Sequence, residues 1–343
     1  MLKSKYITSY VILIVMLLLS CKSKPNLKIM TVTGEISASD MGVALTHEHV
    51  LVDFAGVDSI SPNRYVKDSV IAKVMPYLNN LKQYKVHTFV ECTPEYLGRD
   101  PKLLVELSKR SGIKFITNTG WYAANDRKHL PHKITNMNAK DIANVWINEA
   151  KNGIDNTGVK PGFIKIAINN FKLTETEKKL VQAAAITHLE TGLTIMSHTG
   201  LSEGAFAQLK ILKQNGVDPS AFIWTHANVE PNMENFAIAS DMGAWVAFDG
   251  IDDNYAFINR IVKLLKFMKS THSLEHVLLS HDAGWYSPTE PKGGKFRTYT
   301  TLFDTLIPLL KAEGFTDQEI ELMIVKNPTI AFAIRVRKIN DMH

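Results

Sequence analysis

Four histidines, a lysine and an aspartate are the residues of this chain whose types and spacing could do chemistry. His47 and His49 flank Glu48 within the apolar run 43–52. A strand repeats its side-chain direction every second residue, so both histidines face one way and Glu48 the other. Two imidazoles side by side suit a borderline cation such as zinc. In a chain with 12 histidines one such pair can arise by chance, but similar residues recur in matching places. His198 closes Thr-Ile-Met-Ser-His, His226 closes Phe-Ile-Trp-Thr-His, and Asp282 follows Val-Leu-Leu-Ser-His. Lys165 lies in the otherwise apolar stretch Gly-Phe-Ile-Lys-Ile-Ala-Ile. A charged amine in such a strand is costly unless paired. If Lys165 points inward, desolvation and nearby cations favour its neutral form. A neutral amine can add carbon dioxide, and the two oxygens of the resulting carbamate can reach two metals. Pointing outward, the same lysine would snorkel between helices, and a lone strand-end histidine is commonly structural. What favours a shared site is the recurrence of ligand-type side chains in one order.

Such residues need a scaffold, and the chain supplies a repeating one. Short β-branched runs at 43–52, 86–92, 114–119, 162–168, 194–198, 221–225, 244–249 and 276–280 alternate with longer amphipathic segments. Thr174 with Glu177, and Thr316 with Glu319, have capping-box spacing, and Gly192 stands where a C-terminal cap belongs. Asn327-Pro328 reads as the stop of the last helix. Alternation of this kind predicts an α/β fold with a parallel sheet and right-handed crossovers. Eight units close into a (β/α)8 TIM barrel, whose site lies at the C-terminal ends of the strands. An open doubly wound sheet would want a glycine-rich phosphate turn after its first strand, and none is there. No Pro/Gly/Ser linker divides residues 29–343, which read as one barrel domain.

Several blocks together resemble the phosphotriesterase family of the amidohydrolase superfamily, from about residue 29 to 334. They are Thr-His-Glu-His (46–49), Gly-Arg-Asp (98–100), Asn-Thr-Gly-Trp-Tyr (118–122), Phe-Ile-Lys-Ile-Ala (163–167), Ser-His-Thr-Gly (197–200), Thr-His-Ala-Asn (225–228), Phe-Asp-Gly (248–250), Ser-His-Asp-Ala-Gly (280–284) and Lys-Asn-Pro (326–328). The resemblance implies that His47, His49 and Asp282 hold a more buried metal and that His198 and His226 hold a more exposed one. It implies that Lys165, as N6-carboxylysine, bridges the two together with a hydroxide. The cofactors implied are two divalent ions, zinc foremost, and carbon dioxide as the carbamate. Some relatives bridge with a strand-borne glutamate; here the lysine is present, and Glu91 is read as a supporting carboxylate. The reaction implied is hydrolysis of a lactone, carboxylic ester or phosphotriester, with Asp282 accepting the proton and His281 next in line to carry it outward. Tyr122 matches a tyrosine that lactonase-like members place beside the metals, and Trp285 is a second candidate substrate contact. Gly250 stands where such members carry arginine, Val229 where an aspartate is common, and the segment 252–257 is a short lid. These departures bear on the substrate more than on the chemistry.

The N-terminus has a different character. Lys3 and Lys5 precede an apolar run at 11–19, and Leu-Leu-Ser-Cys ends at Cys21. That run is too short to cross a bilayer, which takes about 20 residues, and reads as a secretory signal. Its end resembles a bacterial lipobox. Residues 1–20 are therefore expected to be a lipoprotein signal peptide, Cys21 the lipidated first residue, and 21–28 a tether to the membrane of the cell envelope. An uncleaved helical anchor is the alternative. Loss of residues 1–20 lowers the net charge from +5 to +3, too mild and too interleaved for nucleic acid. Cys92 is the one other cysteine, so no intrachain disulfide is possible in an acylated chain; it reads as a buried small hydrophobe. His188 reads as a helix-surface residue. Trp121, Trp285 and Tyr286 either wall an apolar pocket or belong to the core. A homodimer is among the assemblies the sequence permits. The competing functions are a non-catalytic, metal-containing ligand-binding lipoprotein and a hydrolase of phosphorylated sugar esters.

Overall fold

All eight predicted runs form parallel strands in a computed structural model, which describes residues 27–169 and 172–339. The predicted signal peptide, Cys21 and most of the tether lie outside the described residues. At the end of the expected tether, Lys28 already belongs to Lys28–Thr31 (β1), which pairs antiparallel with Gly34–Ser37 (β2). This hairpin, unforeseen in the sequence, covers the N-terminal end of the barrel. Its Ile29 packs in one cluster with Val90, Met196 and Phe332.

Val43–Glu48 (β3), Val86–Glu91 (β4) and Lys114–Ile116 (β5) form one arc of the parallel α/β barrel. Asn118–Thr119 (β6), Phe163–Ala167 (β7), Thr194–His198 (β8), Phe222–Thr225 (β9), Trp245–Phe248 (β10) and Val277–Leu279 (β11) form the other. The predicted third run is thus two short strands broken at Thr117. β5 pairs back to β4 and β6 forward to β7, so the break is where that strand changes partners. At the other seam β11 and β3 share no regular ladder. The chain just beyond them is joined there by Asp282 N–H to the His47 carbonyl (3.0 Å) and His49 N–H to the Ala283 carbonyl (2.9 Å).

Parity along the strands decides what faces the lumen. In β7, Ile164 and Ile166 pack on the outer cluster with the helices, and Phe163 lies in the lumen cluster. Lys165 therefore points inward, and it is only 2% exposed. β3 needs a correction to simple alternation. Ala44 faces the lumen and Leu45 the helices, which would turn His47 outward. A register shift between Leu45 and Glu48 reverses the parity and brings His47 and His49 into the barrel, as bulges do beside active sites.

The helix ends follow local chemistry where that chemistry is self-contained. Both capping boxes form, and Gly192 (φ 74°) donates its N–H to the His188 carbonyl at 2.7 Å. Two expectations fail. Pro328 does not stop the last helix. It lies within an unbroken helical run from Asp317 to Phe332, where a wider π turn over Leu322–Lys326 directly precedes it and accommodates the ring and the missing N–H. His188 is fully buried, not a surface residue. Its Nδ1 bonds the Leu193 carbonyl (2.8 Å) and its Nε2 accepts the Arg337 N–H (2.9 Å). The C-terminal segment, distant in sequence, covers that helix face.

Candidate metal centre

The C-terminal ends of six strands deliver one cluster. His47 comes from β3 and His49 from the residue just past it, Lys165 from β7 and His198 from β8. His226, Asp249 and Asp282 come from the residues just past β9, β10 and β11. His226 (φ 60°) and Asp282 (φ 50°) adopt the left-handed backbone that few non-glycine residues take up. Such strain is found where surrounding structure holds a functional side chain in place. Gly120 brings the Tyr122 loop against β7, for a Cβ there would lie 2.0 Å from the Lys165 carbonyl oxygen.

The hydrogen bonds assign the ring protons. Asp249 is fully buried and touches both His47 Nδ1 (2.7 Å) and His226 Nδ1 (2.9 Å). Both Nδ1 atoms therefore donate to it, and both Nε2 atoms face the centre. Burial works against ionisation of Asp249, but His226 and His47 outweigh it and hold the carboxyl well below the ordinary range. His49 Nδ1 lies 2.8 Å from Thr93 Oγ1, whose own proton is turned to Glu91 (2.6 Å) or the Leu51 carbonyl (3.0 Å). His49 Nδ1 is then the donor, and its Nε2 carries a lone pair. Glu91 supports this histidine from behind through Thr93, and burial raises its pKa.

Three electron-rich atoms consequently converge. His49 Nε2 is 3.0 Å and His47 Nε2 is 3.7 Å from Asp282 Oδ1. The 3.0 Å contact lacks hydrogen-bond geometry, and Asp282 Oδ1 is buried without a hydrogen-bond partner. Burial, then Lys165, lowers the His47 pKa to about 4, which keeps that ring neutral. A buried carboxylate oxygen facing two imidazole lone pairs is unfavourable unless a cation lies between them. The donor set therefore fits a metal. On the other side His226 Nε2 is 2.8 Å from His198 Nδ1. Burial, then His226, pushes the His198 pKa well down. Burial also opposes protonation of His226, but Asp249 outweighs it and raises its pKa; these two facing ring nitrogens are the pair that would hold a second cation. Lys165 Nζ is 3.5 Å from His47 Nε2.

The six residues expected from the sequence thus meet in one place. His47, His226 and Asp249 also lie close enough to form a ligand group. Both oxygens of Asp249, however, accept the Nδ1 protons of these rings, so its place is behind the ligands. Sequence reading gave Asp249 no role, although an acid at the end of an apolar strand was the available signal. A carboxylate holding ligand histidines typically sustains about 10–100-fold in metal affinity. Asp249→Asn is expected to weaken metal binding by about that factor, as read by competition with a chromophoric chelator; unchanged affinity would refute this role.

His281 does not lead outward from Asp282. It is fully buried, its Nδ1 donates to Glu48 (2.6 Å), and its Nε2 accepts the Leu302 N–H (3.0 Å). Tyr122 borders the cluster, its hydroxyl 3.4 Å from the His198 ring nitrogens. Burial, then Asp282, raises its pKa and keeps the phenol protonated. Trp285 borders the site, its ring edge-on to His49 at 5.5 Å. Trp121 and Tyr286 are buried; Trp121 packs edge-on against Trp146 (5.7 Å) and donates to Glu95, so it is core and not pocket wall. The cavity above the cluster is small, about 50 Å³, and is walled by Val52, Phe54, Pro94, Leu97, Tyr122 and Trp285. A larger cavity of about 380 Å³, lined by Tyr65, Arg99 and Asp100 among others, contains neither of the ligand groups found among the described residues.

A family model described as the phosphotriesterase family matches residues 27–332. A phosphotriesterase homology protein of Escherichia coli K12 is 30% identical over 87% of this chain and 100% of its own length. An aryldialkylphosphatase of Saccharolobus solfataricus is 29% identical over 87% of this chain and 97% of its own. An N-acetyltaurine hydrolase of Salmo salar is 24% identical over 88% and 96%.

Proposed function

The chain belongs to the phosphotriesterase family, and from that premise we propose that it is a binuclear metal-dependent hydrolase of small uncharged esters. Lactones and carboxylic esters come first and phosphotriesters second. The observation that carries the reading is the convergence of His47 Nε2, His49 Nε2 and Asp282 Oδ1 with no proton to share. These three would hold one cation and His198 with His226 the other. Lys165, as its carbamate, would stand between them. Bound there, divalent cations such as zinc polarise the substrate's carbonyl or phosphoryl oxygen and bring a water's pKa toward neutrality.

The chain's own residues do the rest. Asp282 accepts the proton given up by the attacking water. With His281 turned away, and Gly250 and Val229 offering no titratable group, that proton leaves directly to solvent, since the Asp282 side chain is 22% exposed. Tyr122 donates its hydroxyl to the substrate. Phe54, Leu97 and Trp285 exclude water beside the scissile bond. Apart from Lys165 the cavity lining carries no cationic side chain to pair an anionic substrate group, which favours uncharged esters over phosphorylated sugars. Its 50 Å³ is far below the roughly 300 Å³ of a drug-sized pocket, which favours a small acyl or phosphoryl centre.

Zinc-reconstituted protein of residues 22–343 is expected to turn over lactones or carboxylic esters, to lose that activity to chelator and to regain it with zinc. Two bound metals without turnover across lactones, carboxylic esters and phosphotriesters would replace this reading with that of a ligand-binding lipoprotein.

A further inference from the structure

Glu48 sits between His47 and His49 yet takes no part in the metal cluster. It is a fully buried carboxylate with no lysine or arginine beside it among the described residues. A charge in such a place must be met by donors, and four are supplied. Its Oε1 accepts from Ser280 Oγ (2.8 Å), His281 N–H (3.0 Å) and His281 Nδ1 (2.6 Å), and its Oε2 accepts from Ala283 N–H (3.0 Å). Ser280 Oγ in turn accepts the His47 N–H at 2.9 Å. These contacts lie at the seam where β11 and β3 share no regular ladder. Gly284 lets the same segment lie against β3, since a Cβ there would be 2.0 Å from the His49 carbonyl oxygen.

The two N–H groups that Glu48 holds are those on either side of Asp282, whose left-handed backbone aims its carboxylate at the histidines. One side chain thus links the strand bearing two nitrogen ligands to the turn bearing the oxygen ligand. We infer that Glu48, with Ser280, is the positioning residue that sets the distance between Asp282 and the His47/His49 pair. The inference rests on the metal-centre reading above. Its reach is limited: His198 and His226 stand on other strands and have no contact with Glu48. The two metal positions should therefore respond unequally.

The test uses Glu48→Gln and Ser280→Ala in the otherwise unaltered protein, loaded with zinc or cobalt. In Glu48→Gln the new amide must turn donors toward donors. Zinc stoichiometry is expected to fall from two toward one per chain. The affinity of the lost ion should drop by about tenfold or more, and the cobalt absorption band should change. Ser280→Ala should move the same readouts in the same direction by less, with an unchanged melting temperature. It decides the matter if Glu48→Gln does not fold. Retention of both ions with unaltered affinity and cobalt spectrum overturns the inference, and so does equal loss of both ions. An unmutated protein that binds no metal would overturn the metal-centre reading itself, and this inference with it.

Discussion

Lys165→Ala is expected to strip metal from the barrel and to lower kcat/KM by about a thousandfold, because metal polarisation is worth several kcal/mol and each 1.36 kcal/mol is about a factor of ten. The reason lies in where the strand puts this amine. Lys165 is buried, faces the lumen by the parity of Phe163 and Ile164, and has no carboxylate within ion-pair distance among the described residues. It makes a hydrogen-bond-range contact with His47 Nε2 at 3.5 Å. An ammonium so placed would pay for its own desolvation and repel the cations that the histidines attract. The carbamate reverses both effects, presenting negative oxygens where positive charge must sit. The alanine variant should fold as well as the parent, since no ion pair is lost, and metal analysis should show the deficit directly. Acetate or propionate should restore part of the metal and part of the rate by lending a carboxylate to the vacated space. Full metal occupancy in Lys165→Ala would show that the lysine bridges nothing.

The second large effect is expected at Asp282. Asparagine has nearly the same shape and keeps an oxygen for the metal, but it cannot take a proton. A cation held between Asp282 and the lone pairs of His47 and His49 would favour its ionised form. Asp282→Asn is expected to keep both metals and to lower kcat by about 10²–10⁴-fold, the typical contribution of a positioned general base. KM should change little, because the substitution removes an interaction made in the transition state and not in binding. Wild-type kcat in this variant would assign the proton to another group, whereas loss of metal would make Asp282 chiefly a ligand.

The two substitutions separate roles that the geometry overlays on a few ångströms of space. Lys165 is read through metal content first and rate second, and Asp282 the other way round. Asp249 differs from both. Its carboxylate holds the far sides of the His47 and His226 rings and the His226 N–H, so its replacement should weaken binding without removing a ligand atom.

The periodic runs, the capping residues and the ligand-type side chains were all legible in the chain itself. They depend on neighbours a few positions away: a strand needs β-branched residues in a row, and a cap needs Thr174 three places before Glu177. Lys165 could be singled out because charge within an apolar strand is conspicuous at any resolution of argument, and the strand-end histidines because they recur with the strands. Which way these residues point was decided elsewhere. The bulge that turns His47 inward arises from pairing between β3 and β4. The burial of His188 comes from Arg337, 149 residues later. Pro328 fails as a stop because a π turn precedes it. The proton-holding partners of the ligands are equally remote: Asp249 lies 202 positions from His47, and Ala283 lies 235 from Glu48. Local sequence thus determined what each element is and which side chains could bind metal. Only the pairing of distant strands decided parity, ring tautomer and the carboxylates behind the ligands, since these depend on contacts between strands that no short-range pattern encodes.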